Sequence, residues 1–276
     1  MSSRWAKAIA IVVVIWGLLL GGRWLIWQAG LEWLPRLVEI NDQGAQVTRE
    51  ETNEYPAAGL EAVRAETRNG AITIKGTDGD QVVVTVKYLA RSTDQAASQD
   101  KLARLRTDVS QSNGTLSIRA MFDSAAISGQ QISLELSVPQ EMLVQADTSN
   151  GAINVNGMAG KLQLTTQNGG IRVDSELGPR ELLADTKNGA IVVSSSPDSG
   201  SYTLKTANGK IEAKLPAALG IELDGSVGNG SLDIGEGQWS ITGGKISSRQ
   251  VQATRGDGAL KLNVRSSNGQ IIISTK

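Results

Sequence analysis

One dipeptide recurs through this chain at a nearly fixed interval and limits what it can fold into. Asn-Gly pairs begin at Asn150, Asn168, Asn188, Asn208 and Asn229, at steps of 18, 20, 20 and 21 residues. They are completed by Gly151, Gly169, Gly189, Gly209 and Gly230. Looser copies are headed by Asn69-Gly70, Asn113-Gly114 and Asn268-Gly269. A period near 20 residues marks a repeat architecture, in which each unit is one small supersecondary element.

The flanks repeat as well. Counting from each Asn, positions −6, −4, −2, +3 and +5 are apolar or Thr: Leu162, Leu164, Thr166, Ile171 and Val173 around Asn168, and Leu182, Ala184, Thr186, Ile191 and Val193 around Asn188. Residues between them, such as Gln163, Thr165, Arg172, Asp185 and Lys187, are mostly polar. Period-two alternation on both sides of a turn predicts two short strands per unit, each burying one face. Asn and Gly both tolerate positive φ, so each pair reads first as a structural turn.

Two all-β folds satisfy this grammar. In an antiparallel meander, each Asn-Gly is the two-residue loop of a hairpin. In a β-solenoid, each unit is one coil, and equivalent positions stack about 4.8 Å apart. Stacking sets Leu162 between Val144 and Leu182 and lines the asparagines into a ladder of amide hydrogen bonds. Thr148, Thr166, Thr186 and Thr206 recur at one offset, which favours stacking.

Composition narrows the chemistry. The chain has no His and no Cys, which removes Ser-His-Asp catalysis, His-ligated metals, thiolate sites and disulfides. No cofactor is implied. One Phe and three Tyr stand against 31 Gly, so the core is built from small aliphatic layers. The first 36 residues carry four basic groups and one acid; of 27 basic and 28 acidic residues, 23 and 27 remain for the rest, a net −4. A mildly acidic body without a basic stripe is not a nucleic-acid binder.

The amino-terminal 7 residues are short and basic, and residues 8–27 are almost wholly apolar, long enough to cross a bilayer of ~30 Å. Trp5, Trp24, Trp27 and Trp33 flank the run as interfacial aromatics do. The expectation is a signal anchor with a cytoplasmic tail at 1–7 and an extracytoplasmic body. The alternative is a cleaved signal peptide and a secreted body, but no small-x-small cleavage site follows. Residues 28–57, with Pro35, Glu50-Glu51 and Pro56, read as a juxtamembrane linker, and 58–276 as the repeat domain.

Within that domain, Asp78 and Asp80 read as an ordinary polar turn. Residues 93–107 predict one helix, capped by Thr93, with Ala97, Leu102 and Leu105 inward and Ala96 and Ala103 beside them. Strands are expected at 82–89, 108–111, 116–121 and 131–138. Trp239, in a Gly-rich stretch, reads as packing over a solenoid end, since terminal repeats need capping.

The order GTDGDQVVVTVKY, helix, SNGTLSIRA, then ISLELSVPQEMLVQADTSNGAINVNGMAGKLQLTTQNGGIRV resembles the bacterial putative-adhesin family DUF4097, over about Ala57 to Lys276. The resemblance implies a β-solenoid-like fold, frequently behind an amino-terminal membrane segment, and an envelope-associated role. It brings no catalytic residues.

The sequence therefore points to a membrane-anchored binding or scaffolding module of the envelope that contacts a polymer, a peptide or a protein. Its candidate face is the outward row Asp147, Thr165, Asp185, Lys205 and then Ser226. An envelope sensor acting through other membrane proteins is the alternative. An enzyme is the remoter one: Asp147 and Asp185 share an offset two coils apart, roughly 9.6 Å by strand spacing, near the inverting-glycosidase range of ~6.5–9.5 Å. An uncapped edge at Lys276 would also allow end-to-end self-association.

Overall fold

The computed structural model describes residues 39–41, 44–122, 128–235, 239–241, 247 and 249–276. The apolar run at 8–27 lies outside these, and no described helix is long and apolar enough to cross a membrane. In chain order the strands are β1 (Glu39–Asn41), β2 (Gly44–Pro56), β3 (Ala62–Asn69), β4 (Ile72–Thr77) and β5 (Gln81–Ser92). Helix α1 (Gln95–Arg104) precedes β6 (Arg106–Ser112), β7 (Thr115–Met121), β8 (Gln130–Pro139), β9 (Leu143–Asn150) and β10 (Ile153–Asn156). There follow β11 (Lys161–Asn168), β12 (Ile171–Ser175), β13 (Glu181–Asn188), β14 (Ile191–Ser195), β15 (Gly200–Asn208), β16 (Ile211–Leu215), β17 (Ile221–Asp233), β18 (Ser240–Ile241), β19 (Gln250–Arg255) and β20 (Leu260–Thr275).

The repeats stack in parallel and do not form hairpins. β11 pairs in parallel with β9 and β13, and β12 with β10 and β14. Each unit is thus one coil, and the meander does not describe the repeats. Alternation decides the faces: Leu162, Leu164, Thr166, Ile171 and Val173 are all buried, as are their equivalents around Asn150, Asn188 and Asn208. Burying each such Leu or Ile contributes about 1.5–3 kcal/mol. The layers are mainly aliphatic, but Tyr202 is fully buried at the −6 place of the Asn208 coil, and Tyr88 of β5 is buried in the same core, so two aromatics enter it after all.

The order of the stack departs from the order of the sequence at both ends. β3/β4, the coil of Asn69, lies directly against β9/β10, the coil of Asn150. The chain between them leaves the stack and lays β7 and β8 on the far side of β3 and β4. At the other end β20 enters between β15/β16 and β17, pairing in parallel with all three. The corner order is therefore Asn69, Asn150, Asn168, Asn188, Asn208, Asn268, Asn229. Lys276 follows an interior strand, so an exposed stack edge does not lie there.

Antiparallel pairs appear where the stack is finished off. β5 flanks β8, β2 flanks β5, β6 flanks β7, and β19 flanks the first half of β17. The segment read as a spacer thus contains β2, which pairs with β5 over its length: Val47 is buried, while Glu50, Glu51 and Glu54 lie exposed on its acidic stretch. Those charges suit an edge strand as well as a spacer. Asn113-Gly114 is likewise no coil corner. It is the hairpin turn between β6 and β7, with φ of 48° and 70°, the positive pair of a type I′ turn.

The helix is shorter than its sequence pattern. Asp94, and not Thr93, caps it, its Oδ1 accepting from the Ala97 N–H at 2.8 Å. A carboxylate accepts that bond without the β-branch. Ser98 is fully buried and donates to the Ala45 carbonyl at 2.6 Å, whereas Ala96 and Ala103 are exposed. Leu105 leaves the helix and buries its side chain; its carbonyl accepts from Arg49, whose guanidinium lies 4.2 Å from the Tyr88 ring centre. At the opposite end Trp239 is half-buried against the core with Arg255 5.1 Å from its ring, consistent with end packing.

Candidate functional site

The corners set the geometry of the outer face. Nδ2 of Asn168 donates to Oδ1 of Asn150, and the same bond runs from Asn188 to Asn168, Asn208 to Asn188 and Asn268 to Asn208, each 2.9 Å, then from Asn229 to Asn268 at 2.8 Å. Below Asn150 the pattern changes: Asn150 bonds the Arg68 carbonyl and Asn69 the Gln130 carbonyl.

Beneath this ladder runs a second one. The hydroxyl of each −2 residue donates to a Gly carbonyl of the coil before it: Thr148 to Gly70, Thr166 to Gly151, Thr186 to Gly169 and Thr206 to Gly189, at 2.9–3.0 Å. Ser266 does the same to Gly209 at 3.3 Å, and Thr67 to Ile132. Thr recurs because a buried carbonyl needs a donor there, and a β-branched hydroxyl also suits a strand. The glycines are required by contact more than by φ. A Cβ on Gly189 would sit 1.9 Å from the Gly169 oxygen.

This stacking aligns the outward side chains. The −3 row reads Arg119, Glu66, Asp147, Thr165, Asp185, Lys205, Arg265, Ser226. The predicted residues Asp147, Thr165, Asp185 and Lys205 are consecutive neighbours, as expected. Ser226 is not next to Lys205, because β20 puts Arg265 between them. Arg265 and Glu66 hold the −3 offset from Asn268 and Asn69, so their place was legible from spacing once the stack order is known. Arg119 has no such Asn and gave no sequence signal.

Two grooves of this face take in residues of that row, besides a further one of about 490 Å³ along β15, β20 and β17. One, of about 460 Å³, is lined by Glu66, Arg68, Arg119, Phe122 and Asp147 among others. Glu66 pairs with Arg64 and, at 2.8 Å, with Arg119. Burial pushes its carboxyl up, but the two guanidinium groups more than offset this and hold it below the usual range. Shielding in the groove, then the Glu66 charge, push the neighbouring Asp147 carboxyl up, with Arg64 opposing.

The second groove, of about 690 Å³, crosses β13, β15, β20 and β17. Lys187, Lys205 and Arg265 stand around it with Asp185, over a floor of Ala207, Ser226, Ser267 and Gly228. It exists because the floor residues are small and because β20 adds Arg265 to the row. Arg265 is held by Asp224 at 3.2 Å and by Asn263 at 3.0 Å. Three cations against one carboxylate among its charged lining residues suit an anion, and the hydroxyls and amides suit a hydroxylated one. The acid pair considered for catalysis is split by Thr165, which pairs with both Asp147 and Asp185.

Comparison with protein families matches the Toastrack DUF4097 model over residues 56–274. The chain belongs to the Toastrack family. Crystal structures similar to this Toastrack chain include a putative cell adhesion protein from Clostridium sporogenes ATCC 15579, 12% identical, with 83% of this chain and 100% of that one covered at a TM-score of 0.48. A putative adhesin from Bacteroides fragilis NCTC 9343 is 13% identical, covering 81% and 96%, with a TM-score of 0.35. A putative lipid binding protein from Parabacteroides distasonis ATCC 8503 is 12% identical, covering 81% and 96%, with a TM-score of 0.29. No curated protein matches the chain.

Proposed function

We propose that this Toastrack chain is a membrane-anchored, extracytoplasmic binding or scaffolding module of the bacterial envelope, without catalysis. The observation that supports it best is the outer face, where polar side chains repeat at strand spacing and open into the cationic groove of Lys187, Lys205 and Arg265. A flat, repeating face of this kind fits an extended partner, which presents its own groups at intervals. The partner is an anionic, hydroxyl-bearing polymer of the envelope. The anchor is the apolar run at 8–27.

Two experiments test this. Fractionation with protease protection should leave the full-length chain in the membrane and its body cleavable only from outside; a body that stays protected inside the cell contradicts the topology. Full-length protein in detergent should retain an acidic envelope polysaccharide in a salt-sensitive manner. Lys187→Glu with Lys205→Glu should lower that retention at least tenfold, while Lys75→Glu, on β4 and outside the groove lining, leaves it unchanged. Equal retention by all three proteins overturns the groove as the contact surface.

A further inference from the structure

The chain carries Asn-Gly pairs at the stacked corners, at the Asn113 hairpin and at Asn156-Gly157, where β10 ends and the Gly157 N–H is held by the Asp174 carbonyl at 3.0 Å. The difference between the first two has a chemical consequence. Asparagine before glycine is the pairing most open to attack by the following backbone nitrogen, because glycine offers no side chain to block it, and asparagine is among the heat-labile residues. At the corners that attack is obstructed three times over. The glycine N–H is engaged: Gly70, Gly151, Gly169, Gly189 and Gly209 donate to the Asn carbonyl of the next coil at 2.9–3.1 Å. The side-chain amide is engaged too, through the ladder. Finally, the adjacent carbonyl lies so close that an added Cβ would stand about 2 Å from it at Gly151, Gly169, Gly189 and Gly209, which leaves no room for the peptide to rotate out of place.

Asn113-Gly114 has none of these restraints. Its hairpin ends β6, a flanking strand that among the described residues pairs only with β7. Asn113 is exposed and is the one non-glycine residue with positive φ among the described residues. Neither its side chain nor the Gly114 N–H makes a hydrogen bond among the described residues. Only the Gly114 carbonyl is held, by the Glu61 and Ala62 N–H groups at 2.7 and 3.2 Å.

We propose that Asn113 is a site of spontaneous deamidation and that the stacked corners protect their asparagines from the same reaction. The Gly114 nitrogen gives up its proton to solvent and bonds to Cγ of Asn113. The bond from Cγ to Nδ2 breaks, and ammonia leaves with a proton from solvent. Water then opens the resulting cyclic imide at either carbonyl, giving aspartate or isoaspartate. Each product adds a carboxylate at residue 113 of the exposed turn. Isoaspartate also lengthens the turn backbone by one methylene where β3 begins.

The test is a tryptic map of the full-length protein after prolonged warm incubation in mildly alkaline buffer, run beside the same protein kept in urea. Cleavage after Arg106 and Arg119 isolates Asn113 in its own peptide. In the folded protein that peptide should gain one mass unit and split into two isomers at least tenfold faster than the peptides of Asn168, Asn188 and Asn208. In urea the difference should collapse. Corner asparagines that convert as fast as Asn113 in the folded protein overturn the proposal, as does an Asn113 peptide that converts in urea and stays intact in the fold.

Discussion

At the scale of residues, the repeat is held by groups whose roles differ from their first reading. Thr186 reads as a half-apolar core residue, yet its hydroxyl is the donor for the half-buried Gly169 carbonyl at 2.9 Å. Thr186→Val keeps the shape and leaves that carbonyl unpaired, so it should cost about 1–3 kcal/mol in a urea titration. Thr186→Ser should recover most of the loss, as Ser266 does the same work two coils along the stack. Val227 fills the equivalent place before Asn229, in the coil stacked on Gly269. Asp147 gives a pH-dependent case. Its folded carboxyl has a raised pKa, so the fold disfavours ionisation there; stability is full below the ordinary carboxylate range and is lost as pH rises through the shifted value. Asp147→Asn should therefore stabilise at neutral pH by about 0.2–1 kcal/mol, the worth of a like-charge cross-strand pair. The gain should shrink with added salt, since the residue is exposed, and vanish in thermal melts at low pH. A gain that persists in acid would contradict the assignment to charge.

At the scale of elements, the strands were legible because inward and outward residues alternate without exception around Asn150, Asn168, Asn188 and Asn208. What spacing could not decide was whether Asn-Gly closes a hairpin or turns a coil, because both place the same side chains inward. The chain uses both: Asn113 closes a hairpin and Asn168 turns a coil. Contact with the next coil separates them. Gly114→Ala meets nothing closer than 3.4 Å and is strained only through its φ of 70°. Gly189→Ala drives a methyl into the Gly169 carbonyl and must move backbone on both coils. Thermal melts should show Gly189→Ala as the more harmful by more than about 1 kcal/mol, in the range of overpacked sites. The helix cap is a smaller case. Asp94→Ala should cost about 1 kcal/mol and Thr93→Ala much less, because the Ala97 N–H is bonded by Asp94.

At the scale of the whole molecule, the stack order is the part the sequence did not reveal. Strand grammar fixes what a coil is and says nothing about which coil lies beside which. Asn268, the last corner in the chain, sits between Asn208 and Asn229, and the cationic groove depends on that insertion. If coils followed chain order, removing residues 260–276 would trim one end and leave the rest folded. Here it removes an interior coil that pairs with β15, β16 and β17, so the truncated chain should lose most of its cooperative thermal transition. The order can be read directly, because the chain has no Cys of its own. Neighbouring strands bring Cα atoms within the roughly 4.4–6.8 Å that a disulfide needs, and strands two apart do not. Lys205→Cys with Arg265→Cys should cross-link under mild oxidation, and Lys205→Cys with Ser226→Cys should not. Efficient cross-linking of the second pair and none of the first would contradict this stack order.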